Sequence, residues 1–291
     1  MILVTGATGT IGVELIKELS RRGVFVRALV RDRMRSRRVS LPGVELVDGD
    51  FDLPETFPAA LEGVDELFLL VPYSSRAEVQ QLQFIDAAKR NGVKHIVKLS
   101  QLGAALNSPG RFQRCHAVVE DYIRESGFAC TFLRPNLFMQ RLLDSRSGIS
   151  SQGVFYAAAG TTKISAIDAR DIAAAAAQVL TEYGHEGETY ELTGPEALSY
   201  TQMADILSHA TGMLIRCVDL PLDTFQHSLL DRGVPKWQAN GLVEEYAIYR
   251  CGAAADVTNG VFNVTGSPSM TFAHFAFDYS AMFYPRAIAV T

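Results

Sequence analysis

Three glycines near the start of the chain are the residues whose spacing most clearly indicates chemistry. Gly6, Gly9 and Gly12 follow the apolar run Ile2–Val4 and open the amphipathic run Ile11–Arg22. A tight turn favours a residue without Cβ, as do close approach of the backbone to a pyrophosphate and packing of a helix on a strand. The amides at the start of the helix then meet the anion. This loop predicts a dinucleotide site formed by Gly6, Thr8, Gly9, Thr10, Ile11 and Gly12.

Basic residues follow the second predicted strand, Val24–Val30, at the place that selects between the two nicotinamide cofactors. An acidic side chain there accepts from the ribose 2′-OH of NAD, whereas an arginine accommodates the 2′-phosphate of NADP. Arg31 comes first, and five arginines fall within the eight residues 31–38. This arrangement favours NADPH as the cofactor. Asp32, the next residue, keeps NADH open as the alternative.

Apolar runs of strand length alternate with helical patterns through the first half of the chain. Helical periodicity marks Ile11–Arg22, Glu78–Asn91 and Phe112–Ser126. This alternation predicts an α/β fold with a doubly wound parallel Rossmann sheet, in which ligands bind outside the carboxyl ends of the strands. The predicted strands are Ile2–Val4, Val24–Val30, Val44–Val47, Glu66–Val71, His95–Leu99 and Cys130–Leu133.

The alternation loosens from Asn136 onward. Helical patterns separated by short strand-like pieces predict a smaller, mainly helical C-terminal portion that forms the substrate wall. We predict an NAD(P)-binding Rossmann domain over residues 1–150 and a substrate-binding portion over residues 151–291, interleaved with it. The predicted elements here are the helices Ala169–Tyr183, Thr201–Thr211, Leu222–Arg232 and Thr271–Phe283 and the strands Glu188–Leu192 and Ile215–Leu220.

Nine short motifs run in order along most of the chain: Val4–Gly12, Val30–Asp32, Asp48–Phe51, Asn91–Val97, Leu99–Ser100, Glu125–Gly127, Thr131–Met139, Asp168–Ala173 and Tyr190–Pro195. Together they resemble the NmrA-like family of atypical short-chain dehydrogenase/reductases. That family includes quinone, triphenylmethane and isoflavone-type reductases as well as redox-sensing regulators. The resemblance implies an NAD(P)-binding Rossmann fold and an NAD(P)H-dependent oxidoreductase.

The resemblance also implies a set of ligand-contacting positions, which lie at the carboxyl ends of predicted strands. These are Asp50 and Phe51 beside the adenine, Val71, Pro72 and Tyr73 beside the ribose and nicotinamide, Ser100 and Gln101 after the fifth strand, and Pro135, Asn136 and Phe138 after the sixth. The aromatic side chains expected to line the substrate pocket are Tyr73, Phe138, Phe155 and Trp237.

The catalytic pair usual in short-chain dehydrogenases is absent from this sequence. Those enzymes carry Tyr-x-x-x-Lys on one helical face, where the lysine lowers the pKa of the tyrosine that moves the proton. No Tyr-x-x-x-Lys occurs here, and no lysine lies between Lys98 and Lys163. His116, in the predicted helix Phe112–Ser126, is the candidate acid or cofactor contact. A partly buried histidine with a purely structural role is the alternative.

Without an ionisable pair, the chemistry that fits is hydride transfer to a small conjugated acceptor that needs little proton help. Quinones, iminium ions and other conjugated cations are such acceptors. Ser100 lacks the elbow of hydrolases, and the histidines and carboxylates show no metal-ligand spacing, so we expect neither hydrolysis nor a metal. The alternative function is a redox-sensing regulator that binds NADP(H) with little or no turnover.

The composition of the chain limits the class of protein to which it can belong and the partners it can have. Apolar residues make up 48% of the chain, charged residues 20%, and the formal net charge is −5. These values favour a soluble globular enzyme and do not suggest a nucleic-acid partner. The partner expected from the site residues is a small-molecule substrate. We expect a cytoplasmic protein without a membrane partner, because the sequence has no basic leader and no long apolar span. We expect it to be a monomer or a homodimer.

Overall fold

The computed structural model describes residues 1–284. No helix in this range is long and apolar enough to cross a membrane. The strands are β1 Ile2–Val4, β2 Val26–Val30, β3 Val44–Asp48, β4 Glu66–Leu69, β5 His95–Leu99, β6 Ala129–Pro135, β7 Val154–Ala157, β8 Thr189–Leu192 and β9 Arg216–Asp219. The α-helices are α1 Thr10–Arg21, α2 Phe57–Leu61, α3 Ala77–Arg90, α4 Arg111–Glu125, α5 Arg146–Gln152, α6 Ala169–Thr181, α7 Tyr200–Thr211, α8 Leu222–Asp231, α9 Lys236–Arg250, α10 Gly260–Thr265 and α11 Phe272–Asp278.

Seven strands form one parallel sheet in the order β3-β2-β1-β4-β5-β6-β8. The chain builds outward from β1 in one direction through β2 and β3, and then returns to add β4, β5 and β6 on the other side. The strand order therefore reverses between β1 and β4. The predicted doubly wound Rossmann sheet is confirmed, and its ligand-binding crevice is expected at the carboxyl ends of these two strands.

The described chain forms two compact units that alternate along the sequence. Unit 1 contains the seven-stranded sheet and comprises Met1–Pro135, Ala169–Leu192 and Asn259–Ser267. Unit 2 is mainly helical, contains the parallel pair β7 and β9, and comprises the remaining segments. The compact units first divide after Pro135. The functional division at residue 150 stays a prediction.

The core of unit 1 follows from apolar strands covered on both faces. Leu3 and Val4 of β1 are completely buried, as are Leu67, Phe68 and Leu69 of β4. Continuous apolar runs of this kind are typical of parallel strands with helices on both sides. α1 adds the buried residues Ile11, Leu15 and Leu19, which recur at helical spacing on one face.

The core of unit 2 combines aliphatic residues with a group of aromatic rings. Phe272 and Phe275 of α11 and Phe155 of β7 are almost fully buried in one cluster with Tyr200 of α7. The helix predicted over Thr271–Phe283 ends at Asp278 and is followed by a 3₁₀ turn.

Three elements of unit 2, namely α5, β7 and α9, are not among the predicted elements. α9 has Asn240 and Gly241 near its middle, and both residue types disfavour helix, so its packing must outweigh its propensity. β7 has only four residues, a length at which an apolar run does not distinguish a strand from a helix.

The loop between β1 and α1 brings backbone atoms closer together than a side chain permits. Gly6 has a φ of 61°, in the left-handed region that favours glycine. A Cβ at Gly12 would lie 2.2 Å from the Gly6 carbonyl oxygen and 2.7 Å from the Ala7 Cα. Because both neighbours are backbone atoms, no side chain can move aside to make room.

Gly12→Ala is expected to lower the free energy of unfolding by about 3 kcal/mol, because the loop or the start of α1 must shift. Urea denaturation measures this loss. Gly9→Ala is the matched control, since a Cβ there meets the Gly6 oxygen at 3.2 Å and the backbone has an ordinary φ of −79°. Its loss should stay below about 1 kcal/mol. Equal losses in the two variants would contradict the packing role of Gly12.

Candidate functional site

The glycine loop is anchored to the end of the neighbouring strand. The buried Thr5 hydroxyl accepts a hydrogen bond from the Leu70 amide at 2.8 Å and lies 3.0 Å from the Leu70 carbonyl oxygen. The Thr5 amide donates to the Phe68 carbonyl at 3.0 Å. These bonds hold the loop at the point where the strand order reverses between β1 and β4.

The start of α1 is open to solvent in this structure. Thr8, Gly9 and Thr10 are exposed, and Gly9 stands at the N-cap with no side-chain capping bond from the described residues. The first amides of a helix have no partner within the helix, so they are free to bind an anion placed at this end. The loop therefore has the geometry of a pyrophosphate site, and the contacts predicted for its six residues stay predictions.

The arginines in the segment after β2 differ in whether they form ion pairs. Asp32 accepts a hydrogen bond from the Met34 amide at 2.9 Å and caps a 3₁₀ turn, while Arg33 pairs with Asp48 at 2.9 Å. Arg31 is exposed and has no hydrogen bond or ion pair with the described residues. Arg37 and Arg38 are exposed as well, and the side chain of Arg35 lies outside the described part of the structure.

Asp50 and Phe51 follow β3, as expected, but both side chains have structural contacts. Asp50 accepts a hydrogen bond from the Asp52 amide at 3.0 Å. The ring of Phe51 packs against Phe57 and Phe84, with centroid distances of 5.8 and 4.9 Å. Their proposed place beside the adenine stays a prediction.

The segment after β4 brings an aromatic hydroxyl to the carboxyl edge of the sheet. Val71 is buried, Pro72 is exposed, and Tyr73 is half-buried. The Tyr73 ring stacks on Phe112 of α4, with centroids 4.1 Å apart and an interplanar angle of 10°. This stacking holds the hydroxyl 3.1 Å from the Gln101 Oε1 that follows β5.

His116 lies within hydrogen-bond distance of two ionisable side chains. Its Nε2 is 3.1 Å from the Tyr73 hydroxyl, and its Nδ1 is 3.3 Å from the Lys98 Nζ. Lys98 also donates to the Leu99 carbonyl. α4 carries no lysine, but β5 places the Lys98 ammonium group next to His116 of α4.

Lys98 is the functional candidate that sequence reasoning missed. A signal was available, because Lys98 is the charged member of the otherwise apolar stretch Ile96–Leu99 in a central strand. In a parallel sheet covered on both faces, such a side chain must be buried. The structure leaves only 1% of it exposed.

Burial controls the ionisation of this cluster. It lowers the pKa of Lys98 to about 8, although Cys115 and Glu120 oppose the shift. Burial lowers the pKa of His116 well below its usual value, and the positive charges of Lys98 and Arg134 add to this effect. His116 is therefore a neutral imidazole near pH 7, hydrogen-bonded at both ring nitrogens.

Ser100 belongs to a buried ionic network. Its hydroxyl donates to the fully buried Glu120 at 2.5 Å. Arg134 binds both oxygens of this carboxylate at 2.9 and 2.6 Å, and Arg124 lies 3.2 Å from one of them. The Ser100 hydroxyl therefore has a structural partner, and its predicted cofactor contact stays untested, as does that of Gln101.

Pro135 is the last residue of β6, and Asn136 begins the segment that follows it. Asn136 is buried in unit 2, where its amide nitrogen donates to Ser165 Oγ and to the Ala254 carbonyl, each at 2.9 Å. Its side-chain oxygen accepts from the Leu137 amide at 2.8 Å. These bonds give Asn136 a clear structural role, and the cofactor contacts of all three residues predicted at the end of β6 and after it remain predictions.

Unit 2 contains a cavity of about 540 Å³. Phe138 and Phe155, two of the four predicted pocket residues, line it. Trp237 is not among its lining residues, and Tyr73 belongs to unit 1. The other aromatic residues that line the cavity are Tyr156, Tyr200, Phe225 and Tyr246.

Comparison with known proteins gives matches along the length of the chain. The NAD(P)H azoreductase of Xenophilus azovorans is 41% identical over 283 residues, which cover 97% of this chain and 99% of that protein. The NADPH-dependent quinone oxidoreductase of Escherichia coli, solved with NADPH, has a TM-score of 0.85 at 31% identity and covers 95% of this chain and 98% of its own.

The triphenylmethane reductase of Citrobacter sp., solved with NADP(H), has a TM-score of 0.82 at 27% identity, covering 96% of this chain and 100% of its own. The model of the NmrA-like family matches residues 1–260. As its motifs predicted, the chain belongs to the NmrA-like family.

Proposed function

We propose that this chain transfers a hydride from NADPH to a small conjugated acceptor. The chain is an NAD(P)H-dependent oxidoreductase. The observation that carries the proposal is its 41% identity, over nearly its whole length, to an NAD(P)H azoreductase, in a chain whose glycine loop has the geometry of a pyrophosphate site. NADPH supplies the hydride, and the protein supplies binding, orientation and exclusion of water.

The cofactor preference is proposed to depend on Arg31. This side chain is exposed after β2 and has no partner among the described residues, so it can bind a 2′-phosphate without breaking an ion pair. Arg33 already pairs with Asp48, and the Asp32 carboxylate accepts from the Met34 amide. An acidic side chain occupied in this way is less suited to a ribose 2′-OH, which supports NADPH over NADH.

The class of acceptor is supported by what the three relatives share. An azo compound, a quinone and a triphenylmethane dye are all conjugated and electrophilic. The unit 2 cavity suits such a molecule, since its volume of about 540 Å³ lies within the usual range for small-molecule sites. Tyr200, Phe225 and Tyr246 form a continuous set of rings in its wall, with centroid distances of 6.2 and 4.7 Å. We propose that the aromatic part of the acceptor binds there.

A regulator that binds NADP(H) with little or no turnover is the second candidate. The observation that favours it is the absence of a Tyr-x-x-x-Lys pair. In such a protein, cofactor occupancy would change the affinity for a protein partner instead of supporting a reaction.

Turnover separates the two candidates directly. With NADPH and either an azo dye, a quinone or a cationic triphenylmethane dye, we expect loss of NADPH absorbance that depends on both acceptor and protein. Reactions without acceptor and reactions without protein are the controls. Saturable NADPH binding without oxidation by any of the three acceptors would overturn the enzyme proposal and leave the regulator.

Arg31→Ala is expected to weaken NADPH binding roughly tenfold to hundredfold, because a charge-assisted contact with the 2′-phosphate is lost. NADH binding should change much less, since NADH lacks that phosphate. Titration calorimetry with both cofactors measures the two dissociation constants. Arg38→Ala removes the same charge from the same loop and should leave the ratio of the constants near that of the unmodified protein. Equal losses for both cofactors in Arg31→Ala would remove the assignment.

Phe225→Ala tests the cavity as the acceptor site. Loss of this ring is expected to raise KM for an aromatic acceptor roughly tenfold, because a stacked or edge contact worth about 1 kcal/mol is lost along with buried apolar area. The dissociation constant for NADPH should stay the same. The control is Phe262→Ala, which removes an exposed phenylalanine from α10 of unit 1. An unchanged KM for the acceptor in Phe225→Ala would exclude the cavity as the acceptor site.

A further inference from the structure

A continuous chain of hydrogen-bonding groups runs from the carboxyl edge of the sheet into the core of unit 1. Its links are Tyr73 to His116 at 3.1 Å and His116 to Lys98 at 3.3 Å. We propose that these three side chains form a proton relay, with Tyr73 delivering to the acceptor the proton that must accompany the hydride. This inference rests on the proposed function and names the proton donor for it.

Three different elements hold the relay in place. Lys98 is the fourth residue of β5, His116 lies in α4, and Tyr73 follows β4. Phe112 lies one helical turn before His116, and its stacking on Tyr73 fixes the tyrosine ring above the helix. The Tyr73 and His116 rings meet edge to face, with centroids 5.7 Å apart. The geometry of the relay is therefore set by packing of the sheet against α4.

Ion pairing does not explain why Lys98 is buried. Within residues 1–284 its ammonium group bonds to the Leu99 carbonyl and to His116 Nδ1, and no carboxylate forms an ion pair with it. The buried carboxylate of the same region, Glu120, is already bound by Arg134 and Arg124. A buried cation without a counter-ion is costly. A proton-donating role gives a reason for keeping it.

The groups that face Lys98 set when it carries a proton. His116 and Cys115 of α4 are its neighbours, Glu120 lies farther along the same helix, and Tyr73 lies beyond His116. Burial raises the pKa of the Cys115 thiol to about 11, so it stays neutral. Burial lowers the pKa of Lys98 to about 8, so that its proton is held more weakly than on an exposed lysine.

The protonation states give the relay a direction. A Lys98 ammonium group can only donate, so His116 Nδ1 accepts from it and the proton of the neutral imidazole lies on Nε2. Nε2–H then donates to the Tyr73 oxygen, which leaves the Tyr73 hydroxyl proton to donate to Gln101 Oε1. Each donor thus points toward the edge of the sheet. An acceptor atom that takes the place of Gln101 Oε1 would receive the Tyr73 proton.

With an azo acceptor, the reaction adds a hydride to one nitrogen and a proton to the other. NADPH C4 transfers a hydride, one proton with two electrons, to one azo nitrogen, and the nitrogen–nitrogen π bond breaks. The other nitrogen takes the Tyr73 hydroxyl proton, His116 Nε2–H reprotonates the tyrosine oxygen, and Lys98 protonates Nδ1. The products are NADP⁺, the hydrazo compound and a neutral Lys98. After product leaves, a solvent proton returns to Lys98 along the same groups.

The need for this proton differs between acceptors. An azo nitrogen that has gained a hydride at its neighbour becomes a strongly basic anion unless it is protonated. A cationic triphenylmethane dye becomes a neutral product on hydride addition and needs no proton. The ratio of the azo rate to the cationic-dye rate therefore reports the relay separately from hydride transfer, cofactor binding and folding.

The test compares this ratio in Tyr73→Phe and Lys98→Met with the unmodified protein. Both substitutions keep the shape of the side chain and remove a proton donor, and we expect each to lower the ratio at least tenfold, in line with general acid catalysis. The fraction of folded protein cancels in the ratio. Tyr122→Phe in α4 and Lys94→Met before β5 are the matched controls, since they remove a hydroxyl bonded to Asp86 and an ammonium paired with Asp65.

The pH dependence gives a second readout. Lys98 supplies a proton only as the ammonium, so the azo rate should fall as pH rises through about 8, while the cationic-dye rate shows no such fall. Lys98→Met should abolish this difference between the two profiles. An unchanged rate ratio in Tyr73→Phe and Lys98→Met, even with both rates reduced, would overturn the relay. Absence of NADPH oxidation by the unmodified protein with either acceptor would instead overturn the proposed function, and the relay with it.

Discussion

The close approach of Gly12 to the Gly6 carbonyl is the constraint on which the rest of the site depends. It lets α1 begin directly at the end of β1, so that the first amides of the helix point outward from the sheet edge. The Thr5 hydroxyl then ties this loop to Leu70 at the end of β4. Side chains that follow β4 and β5 are placed relative to this anchored loop, and they include both Tyr73 and Gln101.

Much of the fold was predictable because its signals are local. β1 and β5 have the predicted bounds, since each is a short, mainly apolar run that crosses a covered parallel sheet. β4 was predicted to reach Val71, yet it ends at Leu69. The reason is a bond that no local pattern shows, because the Leu70 amide donates to Thr5, which lies 65 residues away in the sequence. Boundaries of this kind depend on partners that only the folded chain brings near.

The parts of the candidate site that have a fixed spacing in the sequence could be predicted, and the other parts could not. The glycine loop has fixed spacing, so its position followed from the sequence alone, and Arg31 followed from its place after β2. The cluster around His116 has no fixed spacing, since 18 residues separate it from Lys98 and 43 from Tyr73. A search for Tyr-x-x-x-Lys tests whether two groups share one helical face. It does not find a lysine in β5 and a tyrosine in the segment after β4 that reach the same histidine.

The alternating order of the two units has a consequence for biosynthesis. The outer strand β8 and the helices α6 and α10 belong to unit 1 but come from the segments Ala169–Leu192 and Asn259–Ser267. Until β8 has been synthesised, β6 has a free edge, which is a template for pairing with other chains. Unit 1 stays incomplete until its last segment, Asn259–Ser267, has emerged from the exit tunnel. Folding of unit 1 therefore has to wait for residues that follow two segments of unit 2 in the sequence, and its incomplete sheet can recruit chaperones in the meantime.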